Sequence, residues 1–126
     1  MHLEYTHMPQ DPRAFLPLSP IAFQVLLALS DGPRHGYGVI QEIDTRTGGL
    51  MRLRTGTLYL LLQRLAADGL VEPARPPRHQ AGAATPGSPR RYYDVTTLGR
   101  AVLAAEARRL QAAVADARAK RVLSKV

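Results

Sequence analysis

The sequence contains no cysteine. That excludes a disulfide scaffold, a cysteine nucleophile and any thiolate metal site, and a reducing cytoplasm is the compartment it fits. Long apolar runs are missing too. The strongest, Val25 to Leu29, has five residues, against the roughly 18 to 20 that a membrane span needs. The opening MHLEYTHMPQDPR holds acids and no apolar h-region, so a secretory leader is not expected. The expected location is therefore cytoplasmic, with no membrane partner.

The patterns of catalysis are absent as well. His2, His7, His35 and His79 form no H-x-x-x-H pair and stand near no clustered carboxylates, so no metal site is expected. His35 precedes a helix and is better placed to serve its start. G-Y-G at 36–38 lacks the third glycine and the preceding strand of a nucleotide loop. Ser19, Ser30, Ser88 and Ser124 carry no nucleophile signature, and Glu42 and Asp44, two apart on a helix, point in different directions. The reading is of a protein that is not an enzyme and carries no cofactor.

What is abundant is arginine. Seventeen basic residues stand against ten acids, for a net charge of +7, and fifteen of the seventeen are arginine. The sign is unevenly distributed. Residues 1–50 hold three basic residues and five acids, whereas residues 51–126 hold fourteen and five. A basic C-terminal part favours a polyanionic partner, most simply nucleic acid, although a merely solvated basic face has the same composition.

Helix signals divide the chain. Pro9, Pro12 and Pro17 mark residues 1–17 as an extended arm. Ser19 and Pro20 open a first helix running to Leu29, with Ile21, Val25, Ala28 and Leu29 as its apolar stripe. A second helix spans about Gly36 to Thr47, with Val39, Ile40 and Ile43 inward and Gly48-Gly49 as its stop. Leu50 to Leu53 reads as a small strand. Thr55 is placed to cap a third helix, to about residue 67, whose Leu58, Leu61, Leu62 and Leu65 share one face. Leu70-Val71-Glu72 and Arg91-Tyr92-Tyr93-Asp94-Val95 read as the strands of a hairpin, with Tyr93 and Val95 on one face. The loop between them carries five of the ten prolines and the cations Arg75, Arg78, Arg90 and Arg91. A last helix is expected from about Thr97 to Leu123, near 40 Å long. Leu103, Ala107, Leu110, Val114 and Ala117 recur along it at alternating spacings of four and three, the seam of a helix pair. A single helix folded back on its own domain is the alternative.

Three short helices, a hairpin and a long helix make a winged helix-turn-helix: a mainly α fold with a two-stranded wing and a long C-terminal dimerisation helix. The expected division is an arm at 1–17, a DNA-binding domain at 18–96 with its wing loop at about 73–90, and the terminal helix at 97–126. In such folds the start of the second helix of the pair enters the major groove. Here that region supplies Arg54, Thr55, Gly56, Thr57 and Tyr59, with Gln63 and Arg64 one turn further on. Gly56 lets backbone approach phosphate, and free amides at a helix start favour anions. Gln63 suits adenine and Arg64 guanine. Tyr59 can donate to phosphate, or serve as a partly buried aromatic.

These residues resemble the PadR-like transcriptional regulators. HGYGVIQEI at 35–43, GTLYLLLQRLAADGLV at 56–71 and RRYYDVT at 90–96, followed by Gly99, carry the likeness over about residues 18–100. The resemblance implies a cytoplasmic, homodimeric bacterial repressor that pairs through its C-terminal helix and binds DNA; a single terminal helix is similar to the short-tailed subgroup. Three departures stand out. Leu60 takes the place of the family's proline after GTLY, the wing is longer and richer in proline, and there is no tryptophan on which the multidrug-responsive members stack planar ligands.

The reading is thus a dimeric regulator whose partners are double-stranded DNA and a second copy of itself, with a small hydrophobic or aromatic effector as a further partner. Its DNA contacts are Arg54, Thr55, Gly56, Thr57, Tyr59, Gln63 and Arg64 on the third helix and Arg75, Arg78, Arg90 and Arg91 on the wing. The competing reading is a module that binds nucleic acid without sequence preference, or another protein.

Overall fold

Proline, glycine and short polar side chains set the helix boundaries. In the computed structural model, which describes residues 10–77 and 91–124, Ser19 caps α1 (Pro20–Leu29) by accepting the Ala22 amide at 3.1 Å. Pro20 sits in the first turn, where a missing N–H costs nothing. α2 (Gly36–Arg46) starts at His35, whose Nδ1 accepts the Gly38 amide at 2.9 Å, and it ends at Gly48 and Gly49, both with positive φ. α3 spans Thr55–Ala67. α4 (Thr97–Ala119) is capped by Thr96, whose hydroxyl accepts the Gly99 amide at 2.9 Å and donates to the Gly69 carbonyl at 2.6 Å.

Three strands complete the fold: β1 (Arg34–His35), β2 (Val71–Ala74) and β3 (Tyr92–Val95). They form an antiparallel sheet in the order β1-β3-β2. Val71 pairs with Val95 and Ala74 with Tyr92, while Arg34 pairs with Tyr93 on the other side. β2 is an edge strand, which is why it tolerates Pro73.

The core lies where the three short helices meet the sheet and the root of α4. Val25, Leu26 and Leu29 from α1, Val39 and Ile43 from α2, and Leu58, Leu62 and Leu65 from α3 are buried there. Leu70, Val71, Tyr93, Val95, Val102 and Leu103 close it. Gly99 is fixed by close packing. A Cβ at that position would collide with the Leu70 carbonyl and lie 2.7 Å from Val95 Cγ2. Only glycine lets α4 cross the root of the wing so closely.

Four features differ from the sequence expectations. The third strand is Arg34–His35, not Leu50–Leu53. The inner strand β3 finds its second partner ahead of α2, and Met51 and Leu53 instead pack against the core from an irregular segment. Thr55 is the first residue of α3 rather than its cap; Arg54 holds the cap position and makes no side-chain cap. α4 ends at Ala119, four residues before Leu123, because Arg121 turns to φ 62° and the Val122 amide folds back onto the Ala117 carbonyl at 2.9 Å. That pattern is a left-handed helix stop. Finally, Pro12–Phe15 of the expected arm forms a 3-10 turn packed on α4, started by Asp11 accepting the Arg13 amide at 2.9 Å. The first nine residues of the arm lie outside the described residues.

Candidate nucleic-acid interface

The leucine spacing of α3 decides which of its residues face outward. Leu58, Leu62 and Leu65 are buried. At 100° per residue, Gly56, Leu60, Gln63 and Ala67 then fall within an arc of about 60° on the opposite side. All four are exposed, as are Thr55, Thr57 and Arg64 on the flanks. The start of α3 adds to this surface. No side chain caps it, so its first amides are left for another acceptor, and Gly56 has no atom within 4 Å of where a Cβ would stand.

Tyr59 is different. It is half-buried, and its ring and hydroxyl pack against Gly36, the first residue of α2. A Cβ on Gly36 would lie 2.7 Å from Tyr59 Cζ. Tyr59 therefore locks α3 against the start of α2, and Gly36 is the recess that receives it. The neighbouring His35 packs edge-on to Tyr92, centroids 5.3 Å apart, which ties the same corner to β3. Sequence reasoning set both roles of Tyr59 side by side but missed Gly36 as its partner; the pairing of HGYG with GTLY was the available signal.

The hairpin carries two arginines just beyond its last pair: Arg75 follows Ala74 at the end of β2, Arg91 precedes Tyr92 at the start of β3, and both are exposed. Arg78 and Arg90 lie outside the described residues.

Ion pairing separates the arginines into two groups. Arg34 pairs with Asp31 at 3.3 Å, Arg46 with Glu42 at 2.7 Å, Arg52 with Asp44 at 3.4 Å and Arg109 with Glu106 at 2.6 Å. The hydrogen bonds to Glu42 hold the Arg46 guanidinium even further above its ordinary range. Among the described residues, no carboxylate lies within ion-pair distance of Arg54, Arg64, Arg75 or Arg91. Arg54, Arg64, Arg75 and Arg91 thus stand as uncompensated cations, as do Arg108, Arg118 and Arg121 on and just beyond α4 among the described residues, and such cations favour an anionic partner.

α4 changes character along its length. Gly99, Val102, Leu103 and Glu106 are buried against the rest of the protomer. Beyond them the helix stands clear: Ala107 is exposed, Leu110 is 37% exposed and Val114 40%, and Ala117 is half-buried. Of the residues expected in a helix-pair seam, Leu103 thus lies in the protomer's own core, while Leu110 and Val114 project outward. Glu106 was missed in the sequence. Its carboxylate accepts the Leu18 amide at 3.1 Å and two bonds from Arg109, at 2.6 and 3.0 Å. The Arg109 guanidinium holds that carboxyl below its ordinary range, with the Leu18 amide adding to the effect and burial opposing it. The signal was an acid interrupting the apolar side of the helix one turn after Leu103. Among the described residues, no group of His, Asp and Glu is arranged to hold a metal ion, and no helix is long and apolar enough to cross a membrane.

A helix-turn-helix whose second helix is open to solvent on one face, followed by a hairpin that forms two strands of a three-stranded sheet, defines a winged-helix protein. Residues 25–105 match the model of the transcriptional regulator PadR-like family. That span runs from the middle of α1 into α4 and covers most of the chain, and the chain belongs to that family of transcriptional regulators. A relative from Lysinibacillus sphaericus, known only as protein X, is 33% identical over 79 residues, 63% of this chain and 67% of the relative. Among solved structures, a PadR family transcription regulator from Clostridium difficile matches with a TM-score of 0.62 at 20% identity, over 79% of this chain and 96% of that one. Bacillus subtilis PadR, solved in complex with operator DNA, matches with a TM-score of 0.56 at 17% identity, over 69% of this chain and 46% of that one. These two likenesses establish the fold.

Proposed function

We propose that the chain is a cytoplasmic, homodimeric repressor that recognises an inverted repeat in double-stranded DNA. Residues 18–96 form the DNA-binding domain and residues 97–126 carry the dimer contact. The observation that carries this reading is the open face of α3 with its uncapped start, joined by Arg54, Arg64, Arg75 and Arg91, which have no ion-pair partner among the described residues. The operator-bound state of the B. subtilis homologue supports it.

In this reading the first turn of α3, with Thr55, Gly56 and Thr57, receives a backbone phosphate on free amides and hydroxyls. Gln63 and Arg64 reach base edges in the major groove. Arg75, Arg78, Arg90 and Arg91 bind phosphates flanking the groove, which orients the protein but carries no sequence information. Tyr59 acts by fixing α3 against α2. Ala107, Leu110, Val114 and Ala117 meet their counterparts in a second copy, placing two α3 helices in successive major grooves with half-site centres about 10 bp apart or a multiple of that. A small hydrophobic or aromatic effector would fit between the paired ends of α4, walled by Leu110 and Val114. By favouring one dimer geometry it would shift the population away from the DNA-competent form.

The test is a binding titration at two salt concentrations with a duplex from upstream of the protein's own gene and a scrambled duplex of equal length. A margin of about 10³ for the first establishes a sequence-specific regulator acting at its own promoter. Equal, steeply salt-dependent binding to both rejects recognition of that promoter in favour of nonspecific binding.

A further inference from the structure

The outward face of α3 contains one large apolar side chain. Leu60 is 70% exposed, although it belongs to the same helix as the buried Leu58, Leu62 and Leu65. Its position singles it out. It lies one turn after Gly56 and one turn before Gln63, inside the narrow arc that faces away from the core. The space on its N-terminal side is open, because nothing stands within 4 Å of a Cβ at Gly56. On its C-terminal side the exposed polar residues Gln63 and Arg64 supply hydrogen-bonding capacity. An isobutyl group flanked by backbone on one side and base-reading side chains on the other matches one feature of the major groove, the only apolar group there: the C5-methyl of a pyrimidine.

We infer that Leu60 is a specificity-determining residue that packs on a pyrimidine C5-methyl group in each half-site, next to the base pair contacted by Gln63. The inference rests on the proposed entry of α3 into the major groove. The contact transfers a methyl group from water to an apolar surface and involves no charge. Its signature is therefore sensitivity to that one methyl, without any change in the number of phosphate contacts. Thymine carries the methyl in unmodified DNA; 5-methylcytosine presents it in the same place.

The experiment starts from the duplex that the full chain selects from a random library. Each thymine is then replaced by uracil in turn, which removes only the methyl, and each cytosine by 5-methylcytosine, which adds one. For the wild type, one thymine per half-site should show a loss of about 3- to 5-fold on conversion to uracil. In Leu60→Ala that ratio should fall to about 1 while other thymines keep theirs and the salt slope stays unchanged. The exposed site leaves little reason for the variant to misfold, and Leu60→Met, which restores an apolar contact, should recover the discrimination. A gain with 5-methylcytosine that Leu60→Ala abolishes assigns the same contact to a modified cytosine. A Leu60→Ala protein that keeps every methyl ratio overturns the inference, and so does a wild type that selects a sequence yet shows no methyl effect. A wild type that selects no sequence overturns the inference together with the regulator reading.

Discussion

α3 and α4 each carry an apolar stripe, and they treat it in opposite ways. α3 is thirteen residues long and buries Leu58, Leu62 and Leu65 within the protomer, which leaves the opposite face, with Leu60 on it, open to solvent. α4 is twenty-three residues long and outgrows the domain it starts from. Its root is a core element, and its outer half is a stripe without cover. The difference teaches that an apolar periodicity marks a buried face but does not say whose interior it enters. For α3 the partner is the same chain; for the end of α4 the protomer supplies no cover, and in the proposed dimer a second copy would supply it.

The sharpest way to break this contrast is at the root of α4. Gly99→Ala forces a methyl into the Leu70 carbonyl and Val95, so it should destabilise the fold by about 2 kcal/mol or more. Thermal unfolding should show a drop of many degrees, and a normal melting temperature would mean that α4 can lift away from the wing. Leu110→Asp acts at the other end. It should leave the circular dichroism of the protomer intact while weakening dimerisation at least tenfold, as read by light scattering or sedimentation; a variant that remains dimeric moves the seam elsewhere.

Smaller effects sharpen the comparison. Gln63→Ala should relax preference at one base-pair position per half-site, by about 1–3 kcal/mol of discrimination. A site-library titration tests this, since uniform loss across sequences would contradict base readout. Arg91→Ala should weaken binding to every duplex and lower the salt slope by about one unit; an unchanged slope removes Arg91 from the phosphate contacts. Glu106→Gln should lower the melting temperature at pH 7 by a few degrees. Because the folded carboxyl titrates below its ordinary range, its stabilisation is complete above the unfolded value of about 4.3 and is lost as pH falls through the folded one. The gap between variant and wild type should therefore close in acid, and a gap that stays constant from pH 7 to pH 3 would show that the charge is not what matters.

Most of the fold was legible because its signals are local. Ser19, Pro20, the leucines of α3 and the Gly48-Gly49 stop act within a turn or two of themselves, and the helices lie where those residues put them. Nonlocal pairings were not legible. Arg34 and His35 make a strand only because β3 arrives beside them from the far end of the domain. The fit of Tyr59 into Gly36, and of Gly99 over Leu70, depends on crossings that no spacing encodes. Thr55 looked like a cap because threonine often is one, yet the chain already turns helical there. On the interface, the exposed face of α3 followed from its leucines alone, whereas the division of arginines into paired and unpaired groups needed the positions of the acids in space.

The bond from Leu18 to Glu106 has a mechanical consequence. It joins the segment entering α1 to α4 just before that helix leaves the domain, and Gly99 presses the same helix onto the root of the wing. The free part of α4, from Ala107 to Ala119, is then a lever of about 20 Å with a clamped base. In a dimer held by its tip, a tilt of a few degrees at that base shifts each wing and each α3 by an ångström or more relative to its twin. In the proposed dimer, the clamp at Leu18, Glu106 and Gly99 would thus act as the gauge that sets how far apart two copies hold their grip on DNA.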